Sequence, residues 1–306
     1  AGAFVMMSHT QGGPWPYEKV DGEYPDYTWE AYQQLPDFEK YNRPLLEIAD
    51  EAEANNMDYF ISVHSNAATE GNTVNYLSYF YRGNNAGEHV VPGAIEMCKA
   101  SWYHAFECRS MSGLEPNNYD TRDPETSKHI LADIDFYHSS YDATLPSSGK
   151  TYTGYLGVLH HGVPGFLVEG YFHTYQPARH RALNPDYCHM EGLDYYRGII
   201  NYYGADKETV GYIVGTVKDQ YNKMSHSLFT YTPKSNDQWV PCNGAEVILK
   251  KGGVEVARYN VDTLYNGIFV FKGLEPGDDY SLDASCDGFF PLDDQYKVPF
   301  SVKANE

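Results

Sequence analysis

Two residues of this chain stand where a hydrolytic site needs them. His64 follows the apolar run Tyr59 to Val63 (YFISV) and is itself followed by small polar residues, Ser65 and Asn66. Glu169 follows Gly165 to Val168 (GFLV) and precedes a glycine. An imidazole at a strand end, beside small polar neighbours, is well placed to ligate a metal. A carboxylate at the exit of a buried strand has its pKa raised by desolvation, which suits it to proton transfer near neutral pH. Each has a purely structural alternative. The histidine could bond only backbone, and the carboxylate could cap a helix or pair with a neighbour such as Arg179. Together they are the constellation a metal-assisted hydrolase requires.

The elements that must position them read as an α/β unit. Residues 3 to 7 (AFVMM) read as a short buried strand, and Gln11 to Tyr27 as a Gly- and Pro-rich aromatic loop. From Asp37 to Asn55, apolar residues recur at three- and four-residue steps, predicting a helix interrupted at Pro44. The continuous apolar run Tyr59 to Val63 predicts a central strand of a sheet covered on both faces. Asn75 to Tyr81 and Gly165 to Val168 predict two more strands; Gly93 to Phe106 and Leu193 to Tyr203 predict helices, the second stopped by Gly204. In such sheets ligands gather at the carboxyl ends of the strands, where both His64 and Glu169 lie.

After Ala205 the pattern changes. Six short segments with Gly, Pro and Asn turns predict an all-β sandwich: 211–217, 245–250, 254–260, 267–271, 280–284 and 296–302. The domains are therefore 1–206, α/β, and 207–306, all-β.

Composition narrows the function classes. With 22 basic against 42 acidic residues, the net charge of -20 repels phosphate backbones and anionic lipid, excluding nucleic acid as a partner. The longest apolar runs fall far short of the roughly 20 residues that span a bilayer. The five cysteines (Cys98, Cys108, Cys188, Cys242, Cys286) form no metal-type spacing. Disulfides Cys98–Cys108 and Cys242–Cys286 require an oxidising compartment.

The segment Asn55 to Ala68 (NNMDYFISVHSNAA) resembles the strand of the zinc-dependent N-acetylmuramoyl-L-alanine amidases that ends in their last zinc-binding histidine. The segment Tyr155 to Phe172 (YLGVLHHGVPGFLVEGYF) is similar to the strand of the same family that carries the catalytic glutamate. The resemblance implies a mostly parallel-sheet, phosphorylase/hydrolase-like fold. It also implies His64 as a Zn2+ ligand, Glu169 as general base and acid, and peptidoglycan as substrate. It places the protein outside the cytoplasm of a bacterium: periplasmic, cell-surface or secreted. The family's earlier histidine turn and the glutamate after it have no counterpart here, and Ala3 to Thr10 resembles a strand that follows them in the family. The remaining metal ligands are therefore expected upstream of Ala1, and the chain alone is expected to be inactive. His9, Glu18 and Glu23 are the substitutes within the chain. Of the adjacent His160 and His161, at most one faces the site; His173 and His180 are expected at the surface or against substrate.

The segment from Pro241 to Tyr280 resembles the transthyretin-like modules found beside carboxypeptidases, implying a spacer or adhesive role. Two alternatives to the amidase stay open: a zinc carboxypeptidase, although no H-x-x-E motif is present, and a catalytically inactive wall-binding protein.

Overall fold

The computed structural model describes residues 5–6, 44–67, 77–104, 129–225, 231 and 236–304. The expected strand at 3–7 and loop at 11–27, with His9, Trp15, Glu18 and Glu23, lie outside these residues, apart from Val5 and Met6.

In chain order the α/β part runs α1 (Leu45–Ala54), β1 (Phe60–Asn66), β2 (Ser78–Tyr81), α2 (Ala94–His104), β3 (Ile130–Ala132), α3 (Asp133–Tyr137), β4 (Tyr141–Thr144), β5 (Thr151–Gly154), a 3-10 turn (Gly157–Leu159), β6 (Gly165–Phe172), α4 (Gln176–Ala182) and α5 (Pro185–Tyr203). The main sheet has the order β1-β6-β2-β3. Pairs β1/β6 and β2/β3 are parallel, while β2 runs antiparallel to β6. The sheet is thus mixed, with its one antiparallel junction at the centre. Among the described residues β1 is an edge strand, not the central one its unbroken apolar run predicts, and Val63 is 58% exposed.

Both faces of the sheet are nevertheless covered. On one, Tyr79, Tyr81, Ile130, Phe166 and Val168 pack with Met97 and Cys98 of α2 and Tyr195 of α5. Phe166 sits edge-on between Tyr59 and Tyr79, with ring centroids 6.0 and 5.0 Å away. On the other, Phe80 and Leu167 pack with Val158, Leu159, Ile48 of α1 and Tyr137 of α3. Helices α2 and α5 meet closely: a Cβ at Gly198 would lie 2.7 Å from the Ser101 Cα, so only glycine permits this approach. Gly165 does the same at the start of β6, where a Cβ would lie 2.3 Å from the Phe60 carbonyl oxygen.

Helix α5 begins eight residues before the predicted start of 193. Its cap is Asn184, whose side chain accepts from the Tyr187 N–H, followed by Pro185 in the first turn. Gly204, at φ 65°, ends it as expected.

The C-terminal part comprises β7 (Gly211–Thr216), β8 (Lys218–Lys223), β9 (Trp239–Pro241), β10 (Glu246–Lys251), β11 (Val254–Asn260), β12 (Ile268–Leu274), β13 (Gly277–Ser285) and β14 (Phe300–Val302). Five of the six predicted strands are present and the sixth, 296–302, is a strand only over Phe300–Val302, after a 3-10 turn at Asp294–Tyr296; β8 and β9 add a ribbon. The sheet β11-β10-β13-β14 and the pair β12-β7 bury one core, in which Val247, Leu249 and Tyr280 meet Phe269 and Phe271. Cys242 and Cys286 are free thiols beside this core, and burial pushes Cys242 up to about 11. Cys98 is also a free, buried thiol; Cys108 lies outside the described residues.

The two parts share α5. Its Tyr187, Met190 and Leu193 pack against Ile268 and Val270 of β12, with Tyr212 and Val214 of β7. Around this apolar contact, Asp186 bonds Lys272 and Tyr259, and Arg197 pairs with Glu208 over the Tyr212 ring. One helix therefore serves as a wall of both cores.

Candidate functional site

His64 and Glu169 are direct partners in the β1/β6 register. Side chains of paired residues in neighbouring strands share a face of the sheet, so the two project side by side. Ser78 of β2 is the partner of Glu169 on its other side, which gives a row His64, Glu169, Ser78 across three strands. The sheet folds this way because Phe60 to Val63 and Gly165 to Val168 pair residue for residue, carrying the register forward to the strand ends.

Glu169 is partly buried, and its Oε2 is a buried oxygen with no hydrogen-bond partner. Burial raises its pKa above the ordinary value of 4.5. Among the described residues it caps no helix and pairs with no arginine; Arg179, on α4, is exposed. The Ser78 Oγ is likewise buried without a partner. His64 is exposed, with Nε2 3.0 Å from the Ser62 Oγ on the same strand face, and desolvation against the strand lowers its pKa. Its ring therefore bonds a side chain, not backbone.

Residues without an assigned role in the sequence surround this row. Tyr137 lies close enough that the Glu169 charge adds to burial in raising its pKa, and it stacks on Tyr155 at 4.1 Å. Glu191 of α5 lies behind the strand end, where its Oε1 would be 2.8 Å from a Cβ on Gly170. Burial raises its pKa, against a hydrogen bond from the Tyr195 hydroxyl at 2.5 Å. Nothing in the spacing of Tyr137 or Glu191 marks either, because tertiary packing brings Tyr137 beside Glu169 and Glu191 against Gly170 on the opposite face.

The other histidines divide. His173 is exposed at the rim, with Nδ1 3.0 Å from the Ser65 Oγ and its N–H donating to the Asn66 carbonyl. His160 and His161 are both fully buried and neither reaches the site. The His160 ring packs on Tyr141 and the His161 ring on Phe60, each at 4.5 Å. The His161 Nδ1 accepts from the Val163 N–H, and burial holds its pKa down to about 4. That neither reaches the site stays within the expectation that at most one faces it, although the two lie in the bend after the 3-10 turn Gly157–Leu159 and not on a strand. His180 lies on α4 with Nδ1 donating to the Tyr265 carbonyl at 3.3 Å.

Among the described residues no group of three His, Cys, Asp or Glu could hold a metal ion. A catalytic zinc takes three protein ligands and keeps a fourth position open. The described residues bring one imidazole and one partner-free carboxylate together, which does not make that site by itself. What the pair can do is position and exchange a proton at the mouth of the sheet.

Neither a protein-family model nor a curated protein sequence matches this chain. Solved structures similar to it are N-acetylmuramoyl-L-alanine amidases. That from Clostridium difficile 630 is 18% identical, over 53% of this chain and 67% of that one, with a TM-score of 0.36. The CwlD amidase from Clostridioides difficile, in complex with the GerS lipoprotein, is 17% identical over 60% and 73%, also at 0.36. The catalytic domain of CwlV, the amidase from Bacillus (Paenibacillus) polymyxa var. colistinus, is 12% identical over 58% and 79%, again at 0.36.

Proposed function

We propose that residues 1–206 form a peptidoglycan amidase domain that hydrolyses the amide between N-acetylmuramic acid and L-alanine outside the bacterial cytoplasm. Residues 207–306 would then be a transthyretin-like module that spaces it from, or fastens it to, the wall. The observation that carries this reading is the register pair His64/Glu169, in which an imidazole and a partner-free carboxylate with a raised pKa share one face at the carboxyl ends of parallel strands.

Glu169 is the general base and acid of the proposed reaction. Its carboxylate takes the proton of the attacking water and returns it to the leaving amine. Burial and the missing hydrogen bond keep the carboxylate basic enough for the first step and its conjugate acid available for the second. The Tyr137–Tyr155 stack forms a wall beside it. Zinc, in this reading, supplies an acidified water when bound. His64 is one ligand, and the further ligands come from outside the described residues.

The protein at its full natural length, supplied with zinc, should release stem peptide from isolated sacculi, and Glu169→Gln should abolish the release while leaving sacculus binding intact. Metal analysis should find zinc at stoichiometry, lost in His64→Ala. Tight sacculus binding without any cleavage by the zinc-supplemented protein would replace the enzyme by a wall-binding protein.

A further inference from the structure

Between the α/β and all-β parts lies a small cavity of about 30 Å³, open to solvent on one side. Pro177, His180 and Arg181 of α4 line it from one part, and Lys218, Asp237 and Tyr265 from the other. Met224 and Tyr231 add apolar surface at its mouth.

Among the described residues that line it, Arg181 and Lys218 stand against one carboxylate, Asp237. Arg181 Nη1 donates to Asp237 Oδ1 at 2.6 Å, with both side chains almost wholly buried, and the Tyr175 hydroxyl donates to Asp237 Oδ2 at 2.9 Å. That carboxylate is thereby committed on both oxygens. Lys218, on the same cavity wall, makes no hydrogen bond or ion pair with any described residue. Burial brings its pKa down to about 8, with Asp237 opposing that shift and Arg181 adding to it, so the amine still carries its proton at neutral pH. Lys218 is half-buried, and the carboxylate that acts on it, Asp237, is already engaged by Arg181 and Tyr175, which leaves the ammonium able to take an anion.

The cavity wall is also strained. Tyr265 is held at φ 63°, a left-handed conformation that tyrosine rarely adopts. Its N–H donates to Asn243 Oδ1 at 3.1 Å while its carbonyl accepts from His180. Asn266 Nδ2 then donates to the His180 carbonyl at 3.2 Å, tying the strained corner to α4.

We propose that this cavity binds the carboxylate of a small organic acid, held by the Lys218 ammonium across the join between the two parts. One net positive charge matches a monoanion. A lysine beside an arginine already paired with Asp237 suits a carboxylate better than a phosphate, which calls for two or more cations not so paired. The enclosed space takes one carboxylate group, so the remainder of the ligand extends toward solvent. This site does not depend on the hydrolase reading, and either can fail without the other.

The test is calorimetric titration of the full chain with N-acetylglycine and with its uncharged counterpart N-acetylglycinamide. The acid should bind saturably with a Kd of ~1 mM, and the amide should not bind. Lys218→Met, which keeps the side-chain length and removes the charge, should weaken the acid about tenfold or more, as expected for loss of a charge-assisted hydrogen bond. Its thermal unfolding should match or exceed that of the wild type. Equal binding of acid and amide to the wild type, no saturable binding of the acid, or unchanged affinity in a folded Lys218→Met protein would each overturn the proposal. The acid/amide comparison on the wild type stands even if the variant does not fold.

Discussion

Glu53 and Glu169 are two glutamates of the same α/β unit, held in opposite ways. Glu53, on α1, receives hydrogen bonds from the Tyr152 hydroxyl at 2.6 Å, the Gly162 N–H at 2.7 Å and Lys150 Nζ at 2.9 Å. Burial alone would raise its pKa, but these donors bring it down to about 2. Glu169 has burial without the donors, and its pKa moves the other way. The difference separates a strut from a reagent. A carboxylate satisfied by three donors fastens α1 to the β4/β5 hairpin and to the turn before β6. One left unsatisfied at a strand exit destabilises the fold, and such groups persist where chemistry needs them.

Substitution tests that separation most strongly. Glu169→Gln should lower hydrolysis by about 10³-fold, the scale of a lost general base, while leaving the unfolding midpoint unchanged or higher. Muropeptide release and thermal unfolding of one preparation check both halves. A Glu169→Gln protein that is active, or one that unfolds markedly earlier, would erase the contrast.

Glu53→Gln should do the reverse. It removes a charge that three donors satisfy, so stability should fall by about 1–3 kcal/mol in urea titration, with turnover per folded molecule unchanged. Lost activity at full stability would mean that Glu53 belongs to the site.

Acid should sharpen the comparison. The folded pKa of Glu53 is depressed, so its contribution is fully present above the unfolded value of 4.5 and is lost as pH falls toward about 2. The stability gap between wild type and Glu53→Gln should therefore be constant from neutral pH to about pH 5 and narrow steadily below it. A gap that stays level between pH 5 and pH 3 would show that the hydrogen bonds around Glu53 do not favour its ionised form.

Which of these features the sequence displays depends on how local they are. The strands that carry His64 and Glu169 are legible because each is a short apolar run closed by a polar residue. Their lateral pairing is not, since it is set by a register between distant segments. Strands β4 and β5 escape notice because Tyr141 to Thr144 buries only Ala143, leaving no alternation to read. Strand β8 (KDQYNK) carries five polar residues and is held by its partner β9. The edge position of β1 is equally hidden, because an apolar run reports burial without reporting neighbours. Glu53, Tyr137 and Glu191 lie on helices among ordinary polar residues, and only the packing of those helices gives them roles.

Ser78 offers the finest test, because it sits beside Glu169 in the same row yet makes no bond to it. Its Oγ is buried without a partner, so the hydroxyl's desolvation is not offset by any hydrogen bond in the folded state. Ser78→Ala removes that unsatisfied group at nearly constant volume. Stability should change by no more than about 0.5 kcal/mol, with a gain more natural than a loss, and hydrolysis should change less than it does in Glu169→Gln. Urea unfolding of the variant is sufficient to check this. A loss above about 1 kcal/mol would mean that the hydroxyl is bonded in solution. If Glu169 were that partner, its carboxylate would be a satisfied group like that of Glu53, and the contrast between the two glutamates would close.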